Sequence, residues 1–294
     1  MFQTQDSFSP LKRAKKGLRQ SDAVFHHTKA LPYLSEKLFS CAGINDGKIC
    51  AVGVSVRPRD AEGSYMPCFL AGLSYASAVA HSNGVPLFEF SHQAGHIEAA
   101  VKTCGENEAV FEKPFISFHV SGGTTEALLT EWNGQGFDCR IIGGTSDASC
   151  GQIIDRAGVM MGMAFPCGKE LDALSHLSTK KLTKSVSIKG GYFSMSGLEN
   201  KAAKYLSDGE EKADVARFIF DSIAEALKRC CVYLRQEQGA LPILLAGGVM
   251  SNSRIRHVLS ELEDVYFAKA SLSCDNACGT AFLTEKAFER RCGQ

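Results

Sequence analysis

Lys48–Val56 is a β-branched, apolar run that reads as a buried strand, and an apolar helix over Tyr65–Asn83 follows it, closing at Asn83-Gly84. Pro86–Phe90 is a second short strand that feeds directly into a helical stretch opening at His92. Strand–helix–strand–helix order constrains the fold more than any other feature of the chain. Two strands joined through a helix lie parallel, and a parallel sheet needs helices to cover its faces. The same alternation returns near the end, with a strand at Pro242–Ala246, a helix at Ser251–Leu262 capped by Ser251 or Asn252, a strand at Val265–Ala268 and a helix at Asn276–Arg291. Between them the pattern changes. Phe115–Val120, Thr125–Thr130 and Asp138–Ile142 are strands joined by Gly-Gly and Asn-Gly turns, so they are expected to be antiparallel and to open a second lobe. Helices are expected at Ser21–Leu38, Ala148–Met163 and, with strong amphipathic spacing, Asp214–Gln238. Residues 1–16 read as a loose basic arm and residues 175–195 as a polar surface excursion. The class is α/β, with domains expected at 1–113 and 114–294 and the terminal helix able to pack back on the first.

The composition suits a globular protein: 294 residues, 45% apolar and 22% charged, with a formal net charge of zero. That balance supplies no long-range field for a nucleic acid, although local clusters such as Lys12, Arg13, Lys15, Lys16 and Arg19, or Lys180, Lys181, Lys184 and Lys189, can still bind phosphates. Twelve cysteines are scattered with no C-x-x-C, no apolar leader opens the chain, and no run approaches the ~18 apolar residues of a membrane span. The expectation is a reduced cytoplasmic setting with no membrane partner and with thiols serving as small buried hydrophobes.

His92-Gln93-Ala94-Gly95-His96 carries the sharpest chemical signal. Histidines four apart on a helix share a face and can grip one ion, although such a pair is equally compatible with two side chains that simply face water. Imidazole suits zinc, iron and similar divalent ions. A metalloprotease helix needs a glutamate after the first histidine as general base, and Gln93, an amide, cannot take that proton. Three loops can meet a ligand's anionic groups. Ser121-Gly122-Gly123-Thr124-Thr125 turns between two strands, with hydroxyls beside backbone N–H groups, or is simply a hairpin turn. Gly247-Gly248 through Asn252 sits at a strand end before a helix, where open α/β sheets place ligands. Asp275 opens the last helix, as an ordinary cap or as a ligand. Asp147 and Asp155 lie eight apart in a glycine-rich stretch that implies close backbone approach to something. No G-x-G-x-x-G follows a first strand and no G-x-x-x-x-G-K-[ST] occurs, which disfavours Rossmann dehydrogenases and P-loop nucleotidases.

Taken together and in order, these segments resemble the TsaD family of tRNA N6-adenosine threonylcarbamoyltransferases, from Gly17 to about Thr280. His92 and His96 match the family's H-x-x-G-H metal motif, and Asp275 its T-D-N third ligand. Ser121, Gly122, Gly123, Thr124 and Thr125 match its S-G-G-H-T substrate loop, with threonine in place of histidine. Asp155 matches the aspartate of F-D-K, Gly168 the last glycine of Y-P-G-G, and Asn252 the asparagine after A-G-G-V; Phe193–Leu198 resembles F-S-F-S-G-L. Gly151-Gln152-Ile153-Ile154-Asp155-Arg156 departs from G-E-x-F-D-K, and the family's opening strand and two further hairpin strands have no counterpart, which would leave a sheet edge uncovered.

The resemblance implies an actin-like, sugar-kinase-like pair of α/β lobes with an incomplete N-terminal lobe. It implies transfer of a threonylcarbamoyl group from threonylcarbamoyl-AMP to N6 of the adenosine beside a tRNA anticodon. One divalent metal ion, iron or zinc, would be held by His92, His96 and Asp275 and polarise oxygens of the donor. The alternative is a catalytically impaired relative that serves another actin-like subunit as partner; a metalloprotease or an actin-like kinase fits the residues less well.

Overall fold

The computed structural model describes residues 19–40, 49–105, 108–183, 186–269 and 276–293. The basic residues before Arg19, Lys184 and the expected ligand Asp275 therefore lie outside the described residues. By packing, the chain divides into two units: residues 1–99, 133–137 and 275–294, and residues 100–132 and 138–274.

The first unit begins with α1 (Gln20–Ser40), which buries only Ala23 and Ala30 and leaves Phe25 and Tyr33 about 60% exposed. Strand β1 (Val52–Arg57), helix α2 (Phe69–Asn83) and strand β2 (Leu87–Ser91) follow, and the strands pair in parallel from Val52↔Leu87 onward, as the strand–helix–strand order requires. Helix α3 (His92–Thr103) starts directly from β2. Helix α9 (Asn276–Cys292), the last of the described helices, also belongs here: its Thr284 side chain fills the space over Gly53 of β1. Helices α3 and α9 cross at two glycines. A Cβ at Gly279 would collide with the Gly95 carbonyl, and one at Gly95 with the Asn276 and Thr280 side chains, so only glycine allows this approach.

The second unit is built on a seven-stranded sheet. Its strands are β3 (Phe115–Val120), β4 (Thr125–Trp132), β5 (Phe137–Thr145), β6 (Ile188–Lys189), β7 (Tyr192–Phe193), β8 (Ile243–Ala246) and β9 (Val265–Phe267), in the order β6-β7-β5-β4-β3-β8-β9. β3 and β4 are antiparallel, while β8 runs parallel to β3 and β9 parallel to β8. β8 is buried along its whole length and β3 at all but His119, which is why both read as near-continuous apolar runs. Helix α7 (Lys212–Gln238) supplies one long apolar face, from Val215 to Leu234, to this core. Among its described residues the unit also holds four shorter α-helices, α4 (Cys150–Met160), α5 (Gly168–Ser175), α6 (Ser196–Ser207) and, after β8, α8 (Ser253–Leu259).

Residues 175–195 are not only a polar excursion. They contribute β6 and β7 to the sheet edge and bury Leu182, Val186 and Phe193, a pattern too short to read from alternating residues. Among the described cysteines, Cys150, Cys167, Cys230, Cys231 and Cys278 are buried thiols, and burial pushes those of Cys150 and Cys230 up to about 12, so these two pack as inert apolar groups.

Candidate functional site

His92 is the first residue of α3 and His96 stands one turn later, so the helix itself aims both rings the same way. Their Nε2 atoms lie 3.1 Å apart and the rings meet edge to face at 4.5 Å. Two imidazoles bound at about 2.1 Å to one ion, at angles between octahedral and tetrahedral, place their nitrogens roughly 3.0–3.4 Å apart, so the pair fits a shared metal. The start of α3 is fixed from several sides. The Gln93 amide donates to the Pro58 carbonyl at 3.0 Å, the Ala94 amide to Ser91 Oγ at 3.1 Å, and Ser91 Oγ in turn to Asp60 at 2.5 Å. Asn276 donates to the His92 carbonyl from the first turn of α9, while its Oδ1 accepts from Ser55 Oγ at 2.9 Å. Burial pushes the His92 imidazole below its ordinary value, against an opposing pull from the Asn276 side chain, which favours the neutral form. Among the described residues no third His, Cys, Asp or Glu joins the two histidines.

The second unit holds a cavity of about 530 Å³. It brings together four residues singled out from the sequence, Gly122, Asp155, Gly168 and Asn252, from four separate elements. The turn Ser121–Thr124 is seated on the N-terminus of α4. Ser149 caps that helix, accepting from Gln152 N, and its hydroxyl donates to the Gly122 carbonyl at 2.8 Å; the Gly151 amide donates to the Ser121 carbonyl at 3.2 Å. A Cβ on Gly151 would come within 2.5 Å of Gly122 Cα, so this residue must be glycine for the turn to dock. Two of the loop's hydroxyls serve the fold. Thr125 Oγ1 accepts from the Cys150 amide at 3.0 Å, and Ser121 Oγ accepts from the Thr124 amide at 3.1 Å and the Gly123 amide at 3.3 Å. Gly122 and Gly123 remain exposed at the tip.

Asp155 Oδ1 accepts from the Cys167 amide at 2.8 Å, which ties α4 to the start of α5 and sets Gly168 at the cavity wall. Asn252 is 7% exposed; its Oδ1 caps α8 by accepting from the Ile255 amide at 3.0 Å, and its buried Nδ2 meets no acceptor among the described residues. Of the two expected caps for this helix, Asn252 is therefore the one used, and Ser251 ends a preceding 3-10 turn. Phe165, Lys169 and Asp172 also line the cavity and were not singled out from the sequence. Asp172 was readable as the residue one helical turn after Gly168, hence on the same face. Asp172 and Ser253 both meet His176 at its Nε2, at 3.5 and 2.8 Å. With the carboxylate on that nitrogen and not on Nδ1, the trio ties α5 to α8 and lacks the arrangement that activates a serine nucleophile. Arg254, bonded to Ser175 Oγ and its carbonyl at 3.0 and 2.8 Å, reinforces the same tie.

Asp147 lies outside the cavity's lining and has a structural part. It accepts from the Ala148 and Met195 amides, the Ser194 hydroxyl and the Ser196 amide, at 2.6–3.1 Å, so the Phe193–Leu198 motif is knotted to the start of α4.

The TsaD family profile, described as tRNA N6-adenosine threonylcarbamoyltransferase, matches residues 6–282. The tRNA N6-adenosine threonylcarbamoyltransferase of Enterococcus faecalis is 30% identical over 249 residues, covering 80% of this chain and 68% of that protein. Its Streptococcus mutans namesake is 29% identical over 280 residues, covering 90% and 79%. A probable bifunctional tRNA threonylcarbamoyladenosine biosynthesis protein of Thermoplasma volcanium is 29% identical over 266 residues, and the chain spans 47% of its length. Among solved structures, HypF of T. kodakarensis superposes with a TM-score of 0.56 at 14% identity, covering 78% of this chain and 40% of that one; this likeness concerns the fold alone. The fold is of the actin-like, sugar-kinase-like α/β class. With a profile match over almost its whole length, the chain belongs to the TsaD family.

Proposed function

We propose that this protein modifies tRNA by transferring a threonylcarbamoyl group from threonylcarbamoyl-AMP to N6 of the adenosine next to the anticodon, with the donor bound in the cavity of the second unit. Family membership supports the reaction class. The observation that carries the binding site is the convergence of Gly122, Asp155, Gly168 and Asn252 on one cavity, with an unused amide donor in its wall. A cavity of about 530 Å³ lies within the range that takes ligands of nucleotide size. Phe165, 74% exposed at its edge, offers a face on which a base can stack. The Asn252 amide and the exposed Gly122 backbone are positioned donors for the donor's oxygens, and polar groups fixed in advance stabilise charge that develops at a reacting carbonyl. His92 and His96, with Asp275 as third ligand, would hold one divalent ion, iron or zinc. When bound, that ion supplies a Lewis acid.

Mixing the purified protein with unmodified tRNA, ATP-derived threonylcarbamoyl-AMP and a metal supplement tests the reading. Formation of threonylcarbamoyladenosine that disappears in Asn252→Asp supports it, and equal product in both proteins sinks the assigned site. A second reading is a partner subunit for another actin-like protein. It is favoured by α1, whose Phe25, Tyr33 and Leu38 are exposed while only two alanines are buried. Size-exclusion chromatography showing a fully active monomer would rule that reading out.

A further inference from the structure

The charges that line the cavity are unevenly used. Asp155 is committed to the Cys167 amide, and Asp172 accepts from the Ser253 hydroxyl at 3.4 Å. Lys169 is the one cation in the lining, and it is exposed, with no ion pair or hydrogen bond among the described residues. It is the second residue of α5, an eight-residue helix whose N-cap, Cys167, provides no side-chain cap. The amides of that first turn point out of the helix and carry its positive end. A separate feature of the same wall is Asn252, nine-tenths buried, with an Nδ2 that meets no acceptor among the described residues. Leaving a buried amide donor unsatisfied costs about 1–3 kcal/mol, so an acceptor from outside the chain belongs beside it.

An ammonium, an uncapped helix start and a spare amide N–H all ask for the same thing, an oxyanion. We propose that Lys169 is a substrate-contacting residue that selects the donor by an oxyanion of the ligand. The inference rests on the reading of this cavity as the threonylcarbamoyl-AMP site. That donor carries two oxyanions, the phosphate of its nucleotide and the carboxylate of its threonine, and Lys169 reads one of them. Lysine acts here as a point charge on a flexible stem, so what it contributes is charge selection and salt-sensitive affinity, not a fixed two-point geometry.

The test is calorimetric titration of the full chain, Lys169→Met and Lys169→Arg with AMP, adenosine and N-carbamoyl-L-threonine at low ionic strength. Lys169 is exposed, so neither substitution disturbs the core. The expected result is a loss of about ten-fold in Lys169→Met for one anionic ligand, a change within about two-fold in Lys169→Arg, and no change for adenosine. Loss confined to AMP assigns the phosphate, and loss confined to the carbamoyl amino acid assigns the carboxylate. If the ligands bind and none distinguishes Lys169→Met from the parent, the Lys169 assignment is overturned while the donor reading stands. If adenosine fails to bind but an anionic ligand binds through Lys169, the oxyanion contact stands and the nucleotide reading falls. If nothing binds the parent protein up to about 10 mM, both are overturned.

Discussion

The histidine helix and the glycine-lined cavity solve the problem of presenting polar groups in opposite ways. On α3 two side chains do everything: helical spacing alone brings their Nε2 atoms to 3.1 Å, and the surrounding bonds only hold the helix start in place. In the cavity the contributing residues come from positions as far apart as 122 and 252, and what they offer is backbone, a half-used amide and one cation. A local device survives in any fold that keeps the helix. An assembled one depends on each packing contact that brings its parts together, so the two should fail differently when perturbed.

The largest effect is expected where the local device leans on packing. Gly279→Leu must push α9 off α3 at Gly95, an overpacking cost of about 3 kcal/mol or more that chemical denaturation would register. Unchanged stability would mean that the crossing is looser than its glycines imply. Replacing His92 and His96 by alanine should leave folding nearly intact and lower metal affinity by more than about 100-fold, since loss of even an outer-sphere partner typically costs 10–100-fold. Equal metal content in parent and double variant, measured by plasma emission, would remove the clasp and leave the pair as two solvated side chains.

Next in size comes a change aimed at the assembled site. Asn252→Asp keeps the oxygen that caps α8 and replaces the unused donor by an acceptor. Melting should hardly move, while affinity for an adenylate ligand should fall by roughly ten-fold or more. Asn252→Ala, by contrast, should cost about 1 kcal/mol of stability through the lost cap as well. If the aspartate variant binds as well as the parent, Nδ2 does not face the ligand.

The two regions also differ in how much of them a reader of the sequence can recover. The parallel pair β1 and β2, the long helix α7 and the i, i+4 histidines are periodic, and periodicity is local information. The cavity residues could be matched to a family pattern one by one, yet their use could not. Thr125 and Ser121 match a substrate loop, and within the fold their hydroxyls also accept from the first amide of α4 and close their own turn, a use that no pattern shows. The glycines around Asp155 suggest a ligand pressed against backbone, but at Gly151 the near neighbour is the chain itself, at Ser121 and Gly122. Lys169 is illegible in the sequence because α5 is eight residues long and begins at a glycine, which hides the helix from any windowed pattern; Asp172 is legible only through its spacing from Gly168. Strands β6 and β7, two residues each, leave even less.

The smallest effect belongs to Asp147, which separates structural from ligand-facing carboxylates. Burial alone would raise its pKa, but hydrogen bonds from Met195, Ser194 and Ser196 outweigh that and hold the carboxyl well below the usual aspartate value of about 3.9. A depressed folded-state pKa contributes stability that is present above the unfolded value and disappears as pH falls through the folded one. The side chain is exposed, which screens the gain, so Asp147→Asn should cost about 1 kcal/mol or less at neutral pH. The asparagine keeps one acceptor oxygen and turns an NH₂ toward the Ser196 amide, which can then no longer be satisfied there. In urea titrations the gap between parent and variant should be flat from about pH 8 to pH 5 and should close below about pH 4. A gap that persists unchanged at pH 3 would show that the knot works through shape alone, without the charge. Activity should be unaffected at neutral pH, because Asp147 is not among the residues lining the cavity; a loss there would place the Phe193–Leu198 motif in the site and blur the contrast between the two kinds of polar assembly.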